Sequence, residues 1–309
     1  MQRRTFFTHA SALTIVAVAS TGAFMNDIVN ATSLESLKSL KKTARMPVLF
    51  VGHGSPMNAI EDNDYRRSWQ ALGTEFGSKF PKPSLILCVS AHWLTSGWWL
   101  TGMTHPKTIH DFGGFPKELF AQQYPAPGAP AVAQEISQLV RQPGFAAPLG
   151  LDLLEWGLDH GTWSVLKPMF PQADIPVMQL SMDYGRAMAE HYALGQQLKT
   201  LRDHGVLIVG SGNVVHNLRA AKFGAAAHQA YDWAIEFDKV IGDHMHSGNL
   251  AALQDFQKLG QVAQLAHPSY DHYLPLLYAA GAVHAGEPVR TFNASFQAAS
   301  ISMRSVVWG

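Results

Sequence analysis

The chain has 309 residues, 47% hydrophobic and 15% charged, which is enough apolar side chain for a sizeable buried core. Lys plus Arg and Asp plus Glu both number 23, so no positive field recommends nucleic acid, a polyanion or an anionic membrane as partner. The one cysteine, Cys88, excludes an intramolecular disulfide framework.

The first segment differs from the rest. Arg3-Arg4-Thr5-Phe6-Phe7 precedes the short apolar stretch Ala12–Ala19, and no acid occurs before Asp27. A basic start, a short apolar run and the small-residue pattern Ala17-Val18-Ala19 describe a signal peptide over residues 1–33. Paired arginines followed by aromatics resemble a twin-arginine signal, which predicts export of the folded protein to the periplasm by the twin-arginine machinery. The stretch is too short and too rich in Ala and Thr for a good membrane span, and an uncleaved anchor or a disordered tail is the alternative. Export in the folded state lets a protein take up its metal in the cytoplasm, where availability, not raw affinity, decides which ion binds.

Residues 34–45 read as a linker or short helix, and a single domain is expected over residues 46–309. It opens on the apolar run Met46–Val51, which ends in Gly52-His53-Gly54-Ser55-Pro56. A second run, Ser84–Ala91, ends at His92-Trp93; Cys88 lies inside it and reads as a buried strand thiol, not a nucleophile. Ile175–Leu180 and Val206–Val209 are a third and a fourth. Helical patterns at Ala129–Arg141 and Arg186–His204 fall between them, and Tyr124–Gly128 reads as a loop. Strand runs alternating with helices predict an α/β fold, a mostly parallel central sheet flanked by helices.

The placement of the 15 histidines is more informative than their number. His53 and His92 each follow a strand run directly, and His216 lies a few residues past another, in Gly210-Ser211-Gly212-Asn213-Val214-Val215-His216-Asn217. Open parallel sheets build ligand sites at the carboxyl ends of their strands, so three imidazoles can converge there, and imidazole is the commonest neutral metal ligand. His160 stands in the polar turn Asp159–Trp163, and His272 opens Asp271–Tyr278 near a helix start. Each histidine alone is equally well read as a core or loop residue hydrogen-bonded to backbone. His191 and His204 read as surface helix positions, His228, His267 and His284 as solvated, and His105 and His110 as members of a loop that could line a pocket. The sequence has no Gly-x-Ser-x-Gly elbow, His-Glu-x-x-His helix, Cys-x-x-Cys, Walker loop or complete dinucleotide fingerprint.

Taken together and in order, Gly52–Met57, Val89–Trp93, Thr108–Pro116, Asp159–Trp163, Gly210–Leu218 and His272–Leu276 resemble the motifs of the DOPA extradiol dioxygenases within the LigB-type, class III extradiol family. The resemblance runs from about Met46 to the C-terminus and implies a LigB-like single domain with one active-site divalent metal ion, Zn2+ or Fe2+. It places His53, His92, His216 and His272 around the metal and His160 in the substrate pocket. Better-known members hold ferrous iron with two histidines and a carboxylate. Here His272 stands nearest the carboxylate's place, with Asp271 beside it, as a ligand or as a base. An all-histidine set suits zinc as well as iron.

The activity this implies is ring cleavage of a catechol-type substrate such as DOPA, next to its diol, with O2 as co-substrate. His160 and His216 are the candidate proton acceptors, and Trp93, Phe112, Phe115, Trp163 and Tyr273 are candidate walls of an aromatic pocket or simply core. An exported zinc hydrolase with a metal-bound water, and a metal- or aromatic-binding protein without turnover, are the alternatives.

Overall fold

The computed structural model describes residues 37–309, so the signal-peptide reading lies outside the described residues. The strands in chain order are β1 (Val48–Gly52), β2 (Leu85–Leu94), β3 (Trp99–Thr101), β4 (Lys107–Thr108), β5 (Gly150–Asp152), β6 (Gly157–Leu158), β7 (Val177–Met182), β8 (Val206–Gly212), β9 (Val289–Phe292), β10 (Phe296–Gln297), β11 (Ile301–Ser302) and β12 (Ser305–Trp308). Eight form one sheet in the order β5-β3-β7-β2-β8-β1-β12-β9. The four central strands β7, β2, β8 and β1 are mutually parallel, whereas β12 runs antiparallel to β1 and β3 antiparallel to β7. The α/β sheet is therefore parallel at its centre and mixed at its margins.

All four runs chosen as strands are strands, because each is apolar on both faces and buried on both. Val48 and Phe50 face one core, with Leu85, Leu87 and Ile208, while Leu49 and Val51 face the other, with Ile86, Cys88 and Leu207. Helices Met188–Leu198, Asp232–His246 and Leu274–Gly281 cover the first face. Asp64–Glu75 and His160–Met169 cover the second through Trp69, Leu72, Trp163 and Leu166. Cys88 is fully buried and burial pushes its thiol upward, in keeping with a packing role. Within 37–45 no helix forms; the backbone N–H groups of Lys38 and Ser39 donate to Glu135 instead.

The helical pattern at Ala129–Arg141 is realised as Pro130–Leu139, and that at Arg186–His204 as Met188–Leu198 followed by a tighter 3-10 turn, Lys199–His204. Three histidines read as surface or solvated are buried. His191 Nδ1 lies 2.6 Å from the Tyr278 hydroxyl, His204 Nδ1 is 3.2 Å from the Thr200 carbonyl, and His267 Nε2 is 2.7 Å from the Val214 carbonyl. A polar neighbour in the fold engages one nitrogen of each ring, which helical spacing cannot report.

Two glycines bring the helix after His272 onto the sheet. A Cβ at Gly210 would lie 2.4 Å from the Pro275 carbonyl oxygen, and one at Gly212 would lie 2.2 Å from that of His272. The glycines of Gly210-Ser211-Gly212 thus allow backbone to touch backbone. The Asn213 N–H donates to the His272 carbonyl at 2.8 Å and fixes the contact. Among the described residues no helix is long and apolar enough to cross a membrane.

Candidate metal centre

Because β1, β2 and β8 are parallel neighbours, their carboxyl ends open on one edge of the sheet, where such folds place their sites. His53 leaves β1 there, its N–H donating to the Gly212 carbonyl at 3.1 Å. His92 sits in the last turn of β2, where the register with β7 shifts between Val89 and Leu94. His272 is carried in by the helix packed on Gly212. The ring centroids of His53, His92 and His272 are 5.1, 5.0 and 5.2 Å apart, a nearly equilateral triangle. One ring nitrogen from each lies within 4.8 Å of the others.

The hydrogen bonds behind the rings settle where the protons are. The Ser211 hydroxyl donates its one proton to the Gly161 carbonyl at 2.5 Å, so at 3.0 Å it accepts from His53 Nδ1–H. His272 Nδ1 lies 2.5 Å from Asp271 Oδ2, which accepts. His92 Nδ1 lies 3.4 Å from Asp111 Oδ2. His53 and His272 are held at Nδ1 from outside the triangle, and a carboxylate oxygen stands near that nitrogen of His92. With a proton on each Nδ1, the Nε2 lone pairs of His53 and His92 face each other at 3.2 Å. Two lone pairs at that distance repel, and a cation between them removes the conflict. The spacing is what two nitrogens on one ion adopt at metal–nitrogen lengths of about 2.0–2.1 Å. Imidazoles with Nδ1–H engaged by a carboxylate or hydroxyl are also the usual form of histidine ligands, so the residues fit a divalent metal ion.

Burial, followed by the mutual repulsion of the rings, holds His53 and His272 well below the ordinary imidazole range. The same two causes bring His92 down to about 3, and burial brings His216 down to about 4. All are neutral near pH 7, the state in which imidazole binds metal.

His216 takes a different place. Its ring stacks face to face on His272, centroids 3.5 Å apart and planes 4° from parallel, outside the group of three. His160 is the first residue of helix His160–Met169, with its ring 3.9 Å from His92 and 5.7 Å from His53. Asp159 caps that helix by accepting from Thr162 N–H at 3.1 Å, and is fully buried with Ser90 and Gln179 as further donors, each at 2.7 Å. Burial pushes the Asp159 carboxyl up, with the charge of Asp111 adding to it.

Of the expected aromatic walls, Phe112 faces the site, 5.5 Å from His160, with Phe115 behind it at 5.3 Å. Trp163 is buried and donates to the Ile109 carbonyl at 2.8 Å, holding the segment that precedes Phe112. Trp93 turns away and stacks on Trp156. Tyr273 belongs to the core, packed on Phe256 with its hydroxyl donating to the Leu253 carbonyl at 2.9 Å. His110 bonds to the Gln122 carbonyl at 2.9 Å beside Phe112. Asp111, Ser211 and Gln179 were not singled out in the sequence as site residues; only the histidine before Asp111 and the glycines around Ser211 drew attention there.

Residues 47–304 match the family model described as the catalytic LigB subunit of aromatic ring-opening dioxygenase. A 4,5-DOPA dioxygenase extradiol of Escherichia coli (strain K12) is 44% identical over 277 residues, spanning 87% of this chain and 97% of that protein. The protein of the same name from Beta vulgaris is 38% identical over 242 residues, 77% of this chain and 86% of its own. The crystal structure of an uncharacterized Escherichia coli K12 protein aligns with a TM-score of 0.71 at 40% identity, covering 86% of this chain and 100% of that one. With a histidine-built divalent-metal site at the strand ends and a family match over nearly the whole described chain, this protein belongs to the LigB family as an extradiol ring-cleaving dioxygenase of the DOPA dioxygenase group.

Proposed function

We propose that this dioxygenase opens the ring of a DOPA-like catechol next to its diol, that His53, His92 and His272 hold a ferrous ion, and that His160 and His216 move the protons. The observation that carries the reading is the triangle of neutral imidazoles with Nδ1 engaged outside and lone pairs turned inward. The names of the relatives from Escherichia coli and Beta vulgaris support DOPA as the first substrate to try. When bound, the ion lowers the pKa of a phenolic hydroxyl beside it and, if ferrous, gives ring electrons a route to O2.

The chain's own residues do the rest. His160 stands across His92 from the open edge of the sheet and accepts a proton from a catechol hydroxyl arriving there. His216, stacked on His272 and kept neutral by burial, serves as acceptor on the other side. Phe112, edge-on to His160, offers a face for the aromatic ring and keeps water from the reacting carbons. His160→Gln and His216→Gln are expected to keep the metal and to lower kcat by roughly 10²–10⁴, the scale of a positioned acid or base. The check is oxygen uptake with a catechol panel on iron-loaded protein, alongside metal analysis. A wild-type enzyme that consumes no O2 with any catechol refutes the function, and a full-rate His160→Gln refutes its role.

The address is part of the same reading: residues 1–33 direct the loaded, folded protein to the periplasm through the twin-arginine route. The motivation is Arg3-Arg4 ahead of the apolar run. Arg3→Lys with Arg4→Lys is expected to leave folded, metal-loaded protein in the cytoplasm; normal amounts of the double variant in the periplasmic fraction would refute the route.

A further inference from the structure

An all-histidine ligand set leaves a dication without an anion among its direct ligands, and the structure places carboxylates one bond further out. Asp271 hydrogen-bonds to His272. Asp111 reaches two histidines. Its Oδ1 accepts the backbone N–H of His160 at 2.9 Å and lies 3.0 Å from His160 Nδ1, while its Oδ2 lies 3.4 Å from His92 Nδ1. The two rings it faces are 3.9 Å apart, and one belongs to the triangle while the other is the proposed proton acceptor.

The segment that carries Asp111 explains how it is aimed. Upstream, Ile109 is pinned on both sides: its N–H donates to the Leu158 carbonyl at 2.7 Å and its carbonyl accepts from Trp163. Downstream, Gly113 and Gly114 meet nothing where a Cβ would stand, and Gly114 has a φ of +78°. Asp111 thus stands between the pinned Ile109 and the packed Phe112, just before a turn through two unobstructed glycines, and its carboxylate lies at the positive N-terminal end of helix His160–Met169. Burial opposes its ionisation, but its contacts with His160, then His92, prevail and hold the carboxyl below the ordinary carboxylate range. A carboxylate accepts only. Its oxygens lie 3.0 Å from His160 Nδ1 and 3.4 Å from His92 Nδ1, contacts of charge without a formed hydrogen bond. They favour a proton on each of those nitrogens, which leaves both Nε2 lone pairs turned away from Asp111, that of His92 toward the triangle.

We propose that Asp111 is a positioning residue that fixes ring orientation and tautomer in His92 and His160 at once, and lends the all-histidine centre part of the negative charge that its ligands lack. The inference rests on the ligand set proposed above for His92. Loss of the charge loosens the ion and misaims the proton acceptor together.

The test uses full-length Asp111→Asn and Asp111→Glu, with Zn2+ and Co2+ alone as probes. Asn keeps the size and removes the charge; Glu keeps the charge, and covers the case in which the amide variant fails to fold. For Asp111→Asn the expected results are one ion per chain bound about 10–100-fold more weakly in competition with a chromophoric chelator, and a shifted ligand-field spectrum of the Co2+ form. On iron-loaded protein kcat should fall by a larger factor than KM rises, and Asp111→Glu should recover part of each change. Wild-type affinity, spectrum and kcat in Asp111→Asn would overturn the proposal, as would complete loss of the ion, which would make Asp111 a ligand itself. The affinity and spectrum need no turnover. A wild-type protein inactive on catechols, with the Asn variant still weaker for Zn2+, would therefore remove the proposed substrate reaction and leave the positioning role standing.

Discussion

His53→Ala, His92→Ala and His272→Ala are each expected to give folded protein that no longer retains one metal ion per chain through gel filtration, with ring cleavage abolished. Each change removes one corner of a triangle whose sides are 5.0 to 5.2 Å, and two imidazoles cannot close around an ion as three do. The affinity loss should far exceed the roughly 10–100-fold that losing an outer partner costs. Folding should survive, because the rings are neutral and repel one another's protonated forms, and the carboxylates left behind His92 and His272 each keep 19% of their side chain exposed to water. His216→Ala is the informative contrast. It stands outside the group of three and should keep its ion while losing activity. Unchanged stoichiometry in all three corner variants, or loss of the ion in His216→Ala alone, would show the ligand set to be wrong.

The second large effect concerns which ion is present. Protein reconstituted anaerobically with Fe2+ is expected to consume O2 with DOPA or a simple catechol and give a yellow ring-opened product, and the same batch loaded with Zn2+ to give none. Zinc fits the histidines at least as well and sits above iron in the general affinity order for nitrogen sites, so it should displace iron and extinguish activity in proportion to its occupancy. It has no redox chemistry through which ring electrons could reach O2. Zinc-loaded protein that turned over at the rate of the ferrous form would overturn the assignment of iron. A zinc form that hydrolysed an ester or amide would reinstate the hydrolase reading.

Different parts of this molecule were legible in the sequence for different reasons. β1, β2 and β8 announce themselves as apolar runs, because a parallel strand buried on both faces has little polar side to show, while β7 shows the same pattern interrupted by Gln179 and Ser181. The short marginal strands β3, β5, β9 and β12 have no such signature, and with them went the mixed character of the sheet. His53 and His92 could be read from position, since His53 follows β1 directly and His92 lies at the carboxyl end of β2. His272 could not, because a close helix–sheet contact at Gly212 brings it in, and only the family resemblance named it. The face-to-face stacking of His216 on His272 is likewise invisible in the chain order. Asp111 was quoted within a motif but given no task, since its two histidines are 19 residues upstream and 49 downstream and meet it only in the folded protein. Tyr273 stayed open between pocket and core in the sequence, because an aromatic beside a site histidine suits either, and the fold puts it in the core.

The three corners of the triangle lie at positions 53, 92 and 272, so the contacts that create the centre are among the most distant in the chain. β1 pairs with β8 across some 160 residues, Val48 against Ile208, and its other neighbour β12 is the last strand. Such long-range pairings close late in folding, after the loops between them have been ordered. An unfolded or half-assembled chain therefore offers no triangle, and the ion binds the finished native state alone. By mass action, each tenfold of affinity beyond saturation then adds about 1.4 kcal/mol to the free energy of unfolding. The ion acts as a tie between distant ends of the polypeptide, and occupancy of the site becomes a signal that the whole sheet has been built.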